Sequence, residues 1–383
     1  MITPRAAVYS MLLVCAALLP TAAPAQTSSL PTFTPTQTLA PTDEETYPSP
    51  GSFPAQLYFG ASMALSEKTL MVSMVGYNNQ TGRIALFGKG VNGQWVRTGS
   101  IDPTPPLAYD TFGPVALSHD YLMAAAGSGT SLFHESQGTW LPTDKLSGVL
   151  PWSSMGQALD PPWMFIVGDV YRIGPHGRLT KTQTLGDPQG SLGAADAAQG
   201  GTLAIGDTSH PVQGGVYVFS LRHGQWVEKQ QLSASNGVLN DAFGIGISIS
   251  GDLMAIIASG RNLRYQDPAC QGTYYTGGAV YIFERIRGWW TEQQEIDADC
   301  VFFNDQVGVS QEWLAVNGGT DNIVYHRAHE RGSEMFVPFG HTGPDIFAYS
   351  MKLFGSTLVV GTGASQEFPP GQAYVYDLRA KGK

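Results

Sequence analysis

One short phrase recurs seven times along the chain and constrains its fold more than any other feature. It consists of an apolar residue, a glycine in six of the seven copies, and then small and apolar residues in alternation. The copies begin at Phe59, Phe112, Met155, Leu192, Phe243, Val307 and Phe347, and successive copies lie 37 to 64 residues apart. Unequal spacing of one recurrent phrase predicts a repeated supersecondary unit with loops of different lengths.

Three further apolar runs follow the phrase in most copies. The second and third runs are rich in β-branched and aromatic residues, as at 253–257 and 280–283, and such residues favour strands. The fourth run begins with a large residue and has Leu or Ile six positions later, as in Trp226 and Leu232. This even spacing predicts that both side chains face the same side of a strand. In the sixth repeat only Met335 and Phe336 are candidates for the large residue.

Four strands in each of seven repeats predict an all-β fold, a seven-bladed β-propeller of four-stranded antiparallel blades. The two ends of the chain hold complementary parts of one blade. The seventh repeat stops after Tyr376 and Asp377, before any fourth strand, and the six-residue spacing recurs near the other end, between Phe33 and Leu39. We therefore expect an N-terminal strand to join the last blade and close the ring, which removes exposed sheet edges.

The recurring phrases resemble the FG-GAP repeat, the unit of integrin-α-like seven-bladed β-propellers. The best matches are residues 59–72, 215–226, 243–257 and 278–290, and the resemblance extends over nearly all of residues 33–377. Members of this family often carry calcium loops of the form Asp-x-Asp-x-Asp-Gly, of which Asp297 and Asp299 are the nearest trace. No complete run of this form exists in the chain, so the resemblance, which is to exported proteins of the bacterial type, does not imply calcium dependence here, and we expect no cofactor and no metal.

The first 25 residues have the pattern of a secretory signal peptide. Arg5 precedes an apolar run over residues 6–20, and Ala23-Pro24-Ala25 fits the small-x-small rule for cleavage. Lipid attachment at Cys15 is the alternative to simple export. We expect a signal peptide at 1–25, a closing strand and connector at 26–58, and the propeller at 59–380. The expected location is secreted, periplasmic or at the cell surface.

The charge balance limits the partners that such a chain can bind. The formal net charge is −10, and an acidic chain lacks the basic face that a nucleic-acid binder presents to phosphates. No stretch after the signal peptide is apolar over the ~20 residues that a membrane-spanning helix needs. We therefore expect a protein or glycan ligand, no nucleic acid and no transmembrane segment.

The candidate binding residues are aromatic and lie in loops. In antiparallel blades, the connections between strands two and three and those between successive blades emerge on one side, which we call the loop face. Aromatic side chains on loops above a rigid scaffold suit recognition of a protein or a glycan; the alternative is packing of loop against loop. The residues are Tyr77, Tyr109, Trp152, Tyr265, Tyr274, Tyr275 and Phe302.

Two cysteines remain once the signal peptide is removed, Cys270 and Cys300. Both fall in connections of the loop face in the fifth repeat. Export favours a disulfide between them over two free thiols. In the chain-entropy model such a bridge stabilises the fold by about 3–4 kcal/mol.

Four acids stand two residues before the apolar residue that opens a repeat, namely Asp110, Asp241, Asp305 and Asp345. Their repetition favours capping of turns over a ring of functional carboxylates. The chain has no Gly-x-Ser-x-Gly elbow and no phosphate-binding glycine loop. The sequence therefore predicts a non-enzymatic binding or scaffold propeller. The alternatives are a glycan hydrolase or lyase that uses channel-mouth carboxylates such as Asp110 or Asp241, and an assembly platform in the cell envelope.

Overall fold

The computed structural model describes residues 30–46, 57–148, 157–186, 193, 195–209, 213–265, 275–298, 301–318, 321–330, 333–342, 349–363 and 370–379. Within these residues, seven four-stranded antiparallel sheets follow one another around a ring. The predicted seven-bladed β-propeller is thereby confirmed. The blades are numbered 1 to 7 from Phe59 onward. The expected signal peptide lies outside the described residues.

Each blade runs from an inner strand beside the central channel to an outer strand at the rim. The inner strands are Phe59–Leu65, Gly113–Ser118, Gln157–Asp160, Asp196–Gln199, Phe243–Ser250, Val307–Val309 and Ser350–Phe354. The second strands are Thr69–Met74, Tyr121–Ala126, Trp163–Ile166, Thr202–Asp207, Leu253–Ala258, Trp313–Asn317 and Thr357–Gly361. The third strands are Arg83–Lys89, Gly129–Ser136, Asp169–Ile173, Gly215–Arg222, Ala279–Ile286, Asn322–Glu330 and Ala373–Asp377. The outer strands are Trp95–Ile101, Thr139–Ser147, Leu179–Thr184, Gln225–Leu232, Trp289–Asp297, Ser333–His341 and, for blade 7, Gln37–Leu39.

Other regular structure in the described residues is short. A two-stranded ribbon, Arg264–Tyr265 with Tyr275–Thr276, projects from the second-to-third connection of blade 5. Helical turns occur at Asp43–Thr46, Tyr77–Gln80 and Pro175–Gly177.

The hydrophobic core is divided into seven clusters, one at each interface between neighbouring blades. Between blades 3 and 4, for example, the Phe165 ring meets the Trp226 ring edge to face, with centroids 5.0 Å apart. Neighbouring blades cover both faces of the second strands, so Thr202–Asp207 and Leu253–Ala258 are buried at every position. Burial on both faces explains the continuous apolar runs of the sequence.

The large residue of an outer strand and the apolar residue six positions later face opposite sides, so the sequence prediction was wrong on this point. Trp226 packs between blades 3 and 4, whereas Leu232 packs between blades 4 and 5. The cause is a β-bulge, seen as a register shift between Val218 and Phe219. It adds one residue to the outer strand and thereby reverses the alternation of side chains. Equivalent shifts occur in blades 1, 2, 3, 5 and 6.

The ring is closed as the sequence predicted. Gln37–Leu39 pairs antiparallel with Ala373–Asp377, and Thr38 stands opposite Tyr374. The same segment also binds the preceding blade, because the Phe33 N–H donates to the His341 carbonyl at 2.8 Å. The Phe33 ring packs in the cluster between blades 6 and 7.

The Phe-Gly phrase marks the inner joint between blades. The N–H groups of Phe112 and Phe243 donate to the carbonyls of Thr81 and Gln213 in the preceding blade. The glycine after each acceptor, Gly82 or Gly214, lies against the phenylalanine backbone. A Cβ at Gly82 would stand 2.3 Å from the Phe112 nitrogen, so only glycine fits there. The glycine before the third strand and the phenylalanine of the next repeat therefore form one contact.

Blade 6 differs from its sequence prediction at its inner strand and agrees with it at its outer strand. Its buried anchor is Phe303, four residues before Val307, because the Phe303 N–H makes the equivalent bond to the Gly277 carbonyl at 2.9 Å. An insertion between Phe303 and the inner strand hides this alignment in the sequence. At the other end Phe336 is fully buried as the large residue of the outer strand.

Glutamine side chains join neighbouring blades by hydrogen bonds at the rim, in an arrangement that we call the glutamine clasp. Each lies four residues after the large residue of its own outer strand, and its amide both donates to and accepts from one backbone position of the next outer strand. The pairs are Gln37 with Trp95, Gln183 with Trp226, Gln230 with Trp290, and Gln294 with Phe336. An outer strand is a sheet edge with unpaired backbone groups, and the glutamine amide pairs one of them as another strand would.

Gln230→Ala is expected to lower the free energy of unfolding by roughly 1–3 kcal/mol, since it removes two hydrogen bonds and leaves the Trp290 N–H and carbonyl unpaired. Urea denaturation followed by tryptophan fluorescence measures the change. The control is Gln231→Ala, at an exposed neighbour that bonds only to Glu228 on its own strand. Equal effects of the two substitutions would contradict a clasp between blades.

Candidate functional site

The central channel encloses a cavity of about 620 Å³. Inner strands of all seven blades contribute to its lining. Its mouth lies on the loop face, because several lining residues belong to connections that emerge there. These residues are Tyr58, Gln80, Thr111, Asp305, Gln306 and Tyr349.

Most residues at one level of the inner strands are apolar, and the exceptions are Gln157, opposite Ile166 in blade 3, and a residue of blade 4. Met63 stands opposite Val72 in blade 1, and Ile247 stands opposite Ile256 in blade 5. Asp196 occupies the corresponding position in blade 4, opposite Ile205. An acidic residue therefore stands at a level where blade 5 carries a hydrocarbon side chain.

The Asp196 carboxylate is buried and has no hydrogen-bond partner among the described residues. Both of its oxygens are inaccessible to solvent. Desolvation disfavours the charged form and raises the pKa of Asp196 to about 7. The carboxyl group is thus close to half-protonated at neutral pH.

The partly buried side chain of Lys352 lines the same cavity from blade 7. Burial lowers the pKa of Lys352, and the nearby Asp305 carboxylate opposes this effect. Lys352 makes no hydrogen bond or ion pair within the described part of the chain. Asp305 itself is exposed at the channel mouth. The cavity therefore holds one acid and one base that do not satisfy each other.

Two of the four repeated acids cap turns, as their repetition predicts. Asp110 Oδ1 accepts from the Ser128 N–H at 2.6 Å, and Oδ2 accepts from the Ser128 hydroxyl at 2.7 Å. Asp241 accepts from the Val238 N–H at 2.8 Å. Neither lines the cavity. Asp345 lies outside the described residues.

The predicted binding aromatics are not brought together at the channel. The Tyr77 ring is half-buried, packs on the cluster between blades 7 and 1, and has the Arg83 guanidinium 4.1 Å from its centroid. Tyr109 is 74% exposed, and its N–H donates to the Asn79 carbonyl at 3.0 Å. Tyr77 is therefore part of the scaffold, whereas Tyr109 is presented on the loop face.

Three of the remaining predicted site residues, Tyr265, Tyr275 and Phe302, are described and lie in or next to blade 5. Tyr265 is 61% exposed and pairs through its backbone with Tyr275 in the ribbon. Phe302 is partly buried beside the anchor Phe303, and its backbone bridges to Gly277. Trp152, Tyr274, Cys270 and Cys300 lie outside the described residues.

A buried polar network fixes the loops around the ribbon. The Tyr281 hydroxyl donates to Glu295 Oε1 at 2.9 Å, and Asn236 Nδ2 donates to Glu295 Oε2 at 2.7 Å. The Arg261 guanidinium lies 3.4 Å from Glu295 and 3.6 Å from Asp241. Burial and the Glu295 charge raise the pKa of Tyr281, which keeps its hydroxyl protonated as a donor. The network joins the loop between blades 4 and 5 to the second-to-third connection of blade 5.

An apolar surface lies on the two connections that this network joins. Val238 and Leu239 are 54% and 64% exposed on one connection, and Leu263 and Tyr265 are 49% and 61% exposed on the other. The two connections touch, because the Gly260 N–H donates to the Asp241 carbonyl at 2.9 Å. We call Val238, Leu239, Leu263 and Tyr265 the blade 4–5 patch.

Sequence reasoning missed both the channel acid and base and most of this patch. Asp196 and Lys352 sit inside copies of the recurrent phrase, at positions where other copies carry apolar residues. A charged residue at a position that is apolar in other copies could have been used to identify both residues from the sequence. Val238 and Leu239 carry no signal of their own, because an aliphatic residue in a loop is normally buried by other loops.

A cluster of metal ligands and a membrane-spanning helix are both absent from the residues that the structure describes. Among the residues that the structure describes, no group of three or more His, Cys, Asp or Glu side chains is placed to hold a metal ion. No helix in the same residues has the length and hydropathy needed to cross a membrane.

Asp196→Asn is expected to stabilise the chain above neutral pH. The folded group keeps its proton up to a pKa of about 7, whereas the ordinary pKa of an aspartic acid is 3.8. Stability therefore falls as pH rises through this window. At pH well above 7 the substitution should raise the free energy of unfolding by at most about 4 kcal/mol, with a far smaller gain at acid pH. Urea denaturation at both pH values tests this, with the exposed Asp120→Asn as control, and a pH-independent difference would contradict it.

Arg261→Met is expected to lower the free energy of unfolding by about 3 kcal/mol, because it leaves two buried carboxylates without their cation. The control is Arg222→Met, at an exposed turn position, which should change stability by less than about 0.5 kcal/mol. Chemical denaturation of both variants gives the comparison. An Arg261 variant as stable as the Arg222 variant would show that the network does not hold the loops.

Comparison with known proteins agrees with this architecture. A family model described as FG-GAP repeat matches residues 226–283, from the outer strand of blade 4 to the third strand of blade 5. No curated protein matches the chain. Among solved structures, the chain is similar to the β-propeller domain of Cps50 (Swd1) from Myceliophteria thermophila, with a TM-score of 0.55 and 11% identity, covering 90% of this chain and 99% of that one.

A chain of the mitotic checkpoint complex is also similar, with a TM-score of 0.52 and 12% identity over 98% of this chain and 99% of that one. At such low identity these two likenesses concern the fold alone. The matched repeat covers one blade-to-blade joint, and that joint recurs around the ring. Residues 226–283 therefore match an FG-GAP repeat within a seven-bladed β-propeller.

Proposed function

We propose that the protein is an exported, non-enzymatic binding propeller that docks a protein partner on the blade 4–5 patch. The observation that carries the proposal is the exposure of four large apolar side chains on two loops that a buried network holds in place. Exposed apolar groups that are fixed before binding lose little conformational entropy when a partner covers them.

The chemistry of the patch favours a protein over a glycan. Val238, Leu239 and Leu263 are aliphatic and offer no hydrogen bond to sugar hydroxyls, while Tyr265 adds an aromatic surface with a polar tip. Aliphatic and aromatic side chains at the centre of a contact are typical of protein–protein interfaces. A protein docked on the loop face would also suit the expected role of an assembly platform in the cell envelope.

The hydrolase or lyase alternative has less support. Asp110 and Asp241, the acids proposed for it, are engaged with backbone N–H groups and do not line the cavity. Export is supported by the signal-like residues 1–25. The net charge of −10 argues against nucleic acid as the partner.

A disulfide between Cys270 and Cys300 is part of the proposal. It is supported by contacts at the base of the ribbon, where the Gly277 N–H donates to the carbonyl of Val301, the residue after Cys300. Such a bridge would restrain the segment between the two ribbon strands, beside Tyr265.

The test is photo-cross-linking from the patch. Tyr265 is replaced by a photoreactive phenylalanine analogue, the chain is produced with its own leader in its source organism, and adducts are identified by mass spectrometry. We expect one dominant protein adduct, which disappears when Leu239→Asp is added. The same analogue at Val227, exposed on the outer strand of blade 4, should not give that adduct.

Two results would refute the proposed surface. One is an identical set of adducts from positions 265 and 227, which would indicate random collisions. The other is an adduct at position 265 that persists in the Leu239→Asp variant at undiminished yield. Circular dichroism of each variant confirms that the propeller is folded.

A further inference from the structure

We infer that the blade 1 side of the channel mouth binds a short neutral saccharide, through the side-chain amides of Asn79 and Gln80 and the ring of Tyr109. This site shares no residue with the blade 4–5 patch and does not depend on the function proposed for that patch. The inference rests on three exposed, uncharged side chains that a left-handed turn and the neighbouring loop bring to the edge of the cavity.

The first step concerns the backbone of the turn between the second and third strands of blade 1. Asn78, Asn79 and Gln80 have φ angles of 47°, 55° and 59°, so three successive residues lie in the left-handed region. No other connection in the described residues has three such non-glycine residues in a row. Asparagine tolerates this region, whereas glutamine is disfavoured there. Backbone strain of this kind persists mainly where a ligand site requires the conformation.

The second step is that the scaffold holds this turn in place. The Gly82 N–H donates to the Tyr77 carbonyl at 3.1 Å, and the Thr81 hydroxyl donates to the Asn78 carbonyl at 2.7 Å. The Tyr77 ring packs on the core cluster between blades 7 and 1, with the Arg83 guanidinium over its other surface. The backbone that carries the amides is therefore fixed before any ligand arrives, which reduces the entropy lost on binding.

The third step concerns the two amides. The side chains of Asn79 and Gln80 are exposed and make no hydrogen bond with a described residue. Gln80 also lines the cavity. Each amide carries a carbonyl acceptor and an NH₂ donor on one planar group. Such a group can bond to two neighbouring hydroxyl groups of a sugar, one as donor and one as acceptor.

The fourth step is the aromatic ring beside these amides. The N–H groups of Tyr109 and Thr111 donate to the carbonyls of Asn79 and Gln80 at 3.0 and 2.7 Å. The Tyr109 ring is 74% exposed, and its apolar face suits the C–H groups of a sugar while its hydroxyl remains polar. Asn240, also with positive φ, stands at the equivalent position before blade 5. The loop itself therefore does not require an aromatic residue.

The charges around this corner favour a neutral ligand. The part of the cavity lining that comes from blade 1 and the loop into blade 2 includes no charged side chain. The Arg83 guanidinium nearby is already bonded to Asp102 at 2.6 and 2.8 Å. An acidic saccharide would thus find no free cation here, whereas uncharged hydroxyl groups match the amides. The cavity of about 620 Å³ lies within the ~300–1,000 Å³ of typical small-molecule sites, so the end of a saccharide can enter it.

The experiment is isothermal titration calorimetry of the mature chain at neutral pH with four neutral trisaccharides and one acidic counterpart. The neutral probes are maltotriose, cellotriose, mannotriose and triacetylchitotriose, and the acidic probe is trigalacturonic acid. We expect saturable binding of at least one neutral trisaccharide in the micromolar to millimolar range. Trigalacturonic acid should bind more weakly than that trisaccharide.

Two substitutions assign the binding to the site. Gln80→Gly and Tyr109→Ala should each lower the affinity about tenfold or more, since they remove the amide and the ring. Gln80→Gly should leave the midpoint of urea denaturation close to that of the unmodified chain, because glycine adopts a positive φ without strain. A glutamine that served only the fold would instead lower this midpoint when it is replaced.

The matched controls lie on the side opposite the loop face. Gln137→Gly changes an exposed glutamine with a φ of 52° in the hairpin turn of blade 2. Trp289→Ala removes an exposed aromatic ring from the outer strand of blade 5. Both variants should bind the trisaccharides as the unmodified chain does.

Several results would overturn the inference. No saturable heat with any neutral trisaccharide at millimolar concentration would do so, as would tighter binding of trigalacturonic acid than of all four. Equal losses of affinity in the Gln80→Gly and Gln137→Gly variants would also do so. If the Tyr109→Ala variant does not fold, the two glutamine variants still decide. A negative result here leaves the cross-linking result at Tyr265 unaffected, so the two proposals fail separately.

Discussion

The whole ring depends on one antiparallel strand pair, Gln37–Leu39 with Ala373–Asp377. Every other blade is built from consecutive strands, so its contacts are local in sequence. The closing pair joins positions 339 residues apart, as in the hydrogen bond from Thr36 to the Val375 carbonyl. Its loop-closure entropy grows only slowly with that length. Without this pair the third strand of blade 7 would expose an unpaired edge.

The joints between blades are built from different contacts, although the ring that they form is regular. Three of the described joints, those between blades 7 and 1, 4 and 5, and 5 and 6, combine an inner phenylalanine contact with an outer glutamine clasp. Between blades 1 and 2 Gly99 stands at the clasp position, and the inner joint there gains two further hydrogen bonds, from Tyr109 to Asn79 and from Thr111 to Gln80. At this interface the missing glutamine clasp is therefore accompanied by additional hydrogen bonds at the inner joint.

The joint between blades 6 and 7 is rebuilt in a different way. A Cβ at Gly340 would lie 2.5 Å from the Phe33 ring, so the clasp position must be glycine for the closing segment to pack. The clasp moves to the channel side, where Gln306 donates to the Tyr349 carbonyl at 2.7 Å and accepts from the Met351 N–H at 2.6 Å. The closing strand and this inner clasp therefore hold blade 7 from both sides.

The sequence was sufficient for the number of blades, the strand order and the closing strand, because these depend on a periodic pattern of apolar residues. It was insufficient where one added residue changes the outcome. The bulge beside Phe219 reverses the direction of Trp226 relative to Leu232, and the insertion after Phe303 conceals the anchor of blade 6. The aromatic loops were identified, but whether Tyr77 is buried and Tyr109 exposed depends on neighbours such as Arg83 that are adjacent only in the folded chain.

The residues of the inner strands include some that the packing of the propeller does not require. Hydrocarbon side chains at the level of Asp196 would complete the packing of the inner strands, as Met63 and Ile247 do in their own blades. The Asp196 carboxyl group instead loses its hydration and finds no partner in the described residues, which makes the folded state less stable. Departures of this kind from local rules concentrate at functional sites.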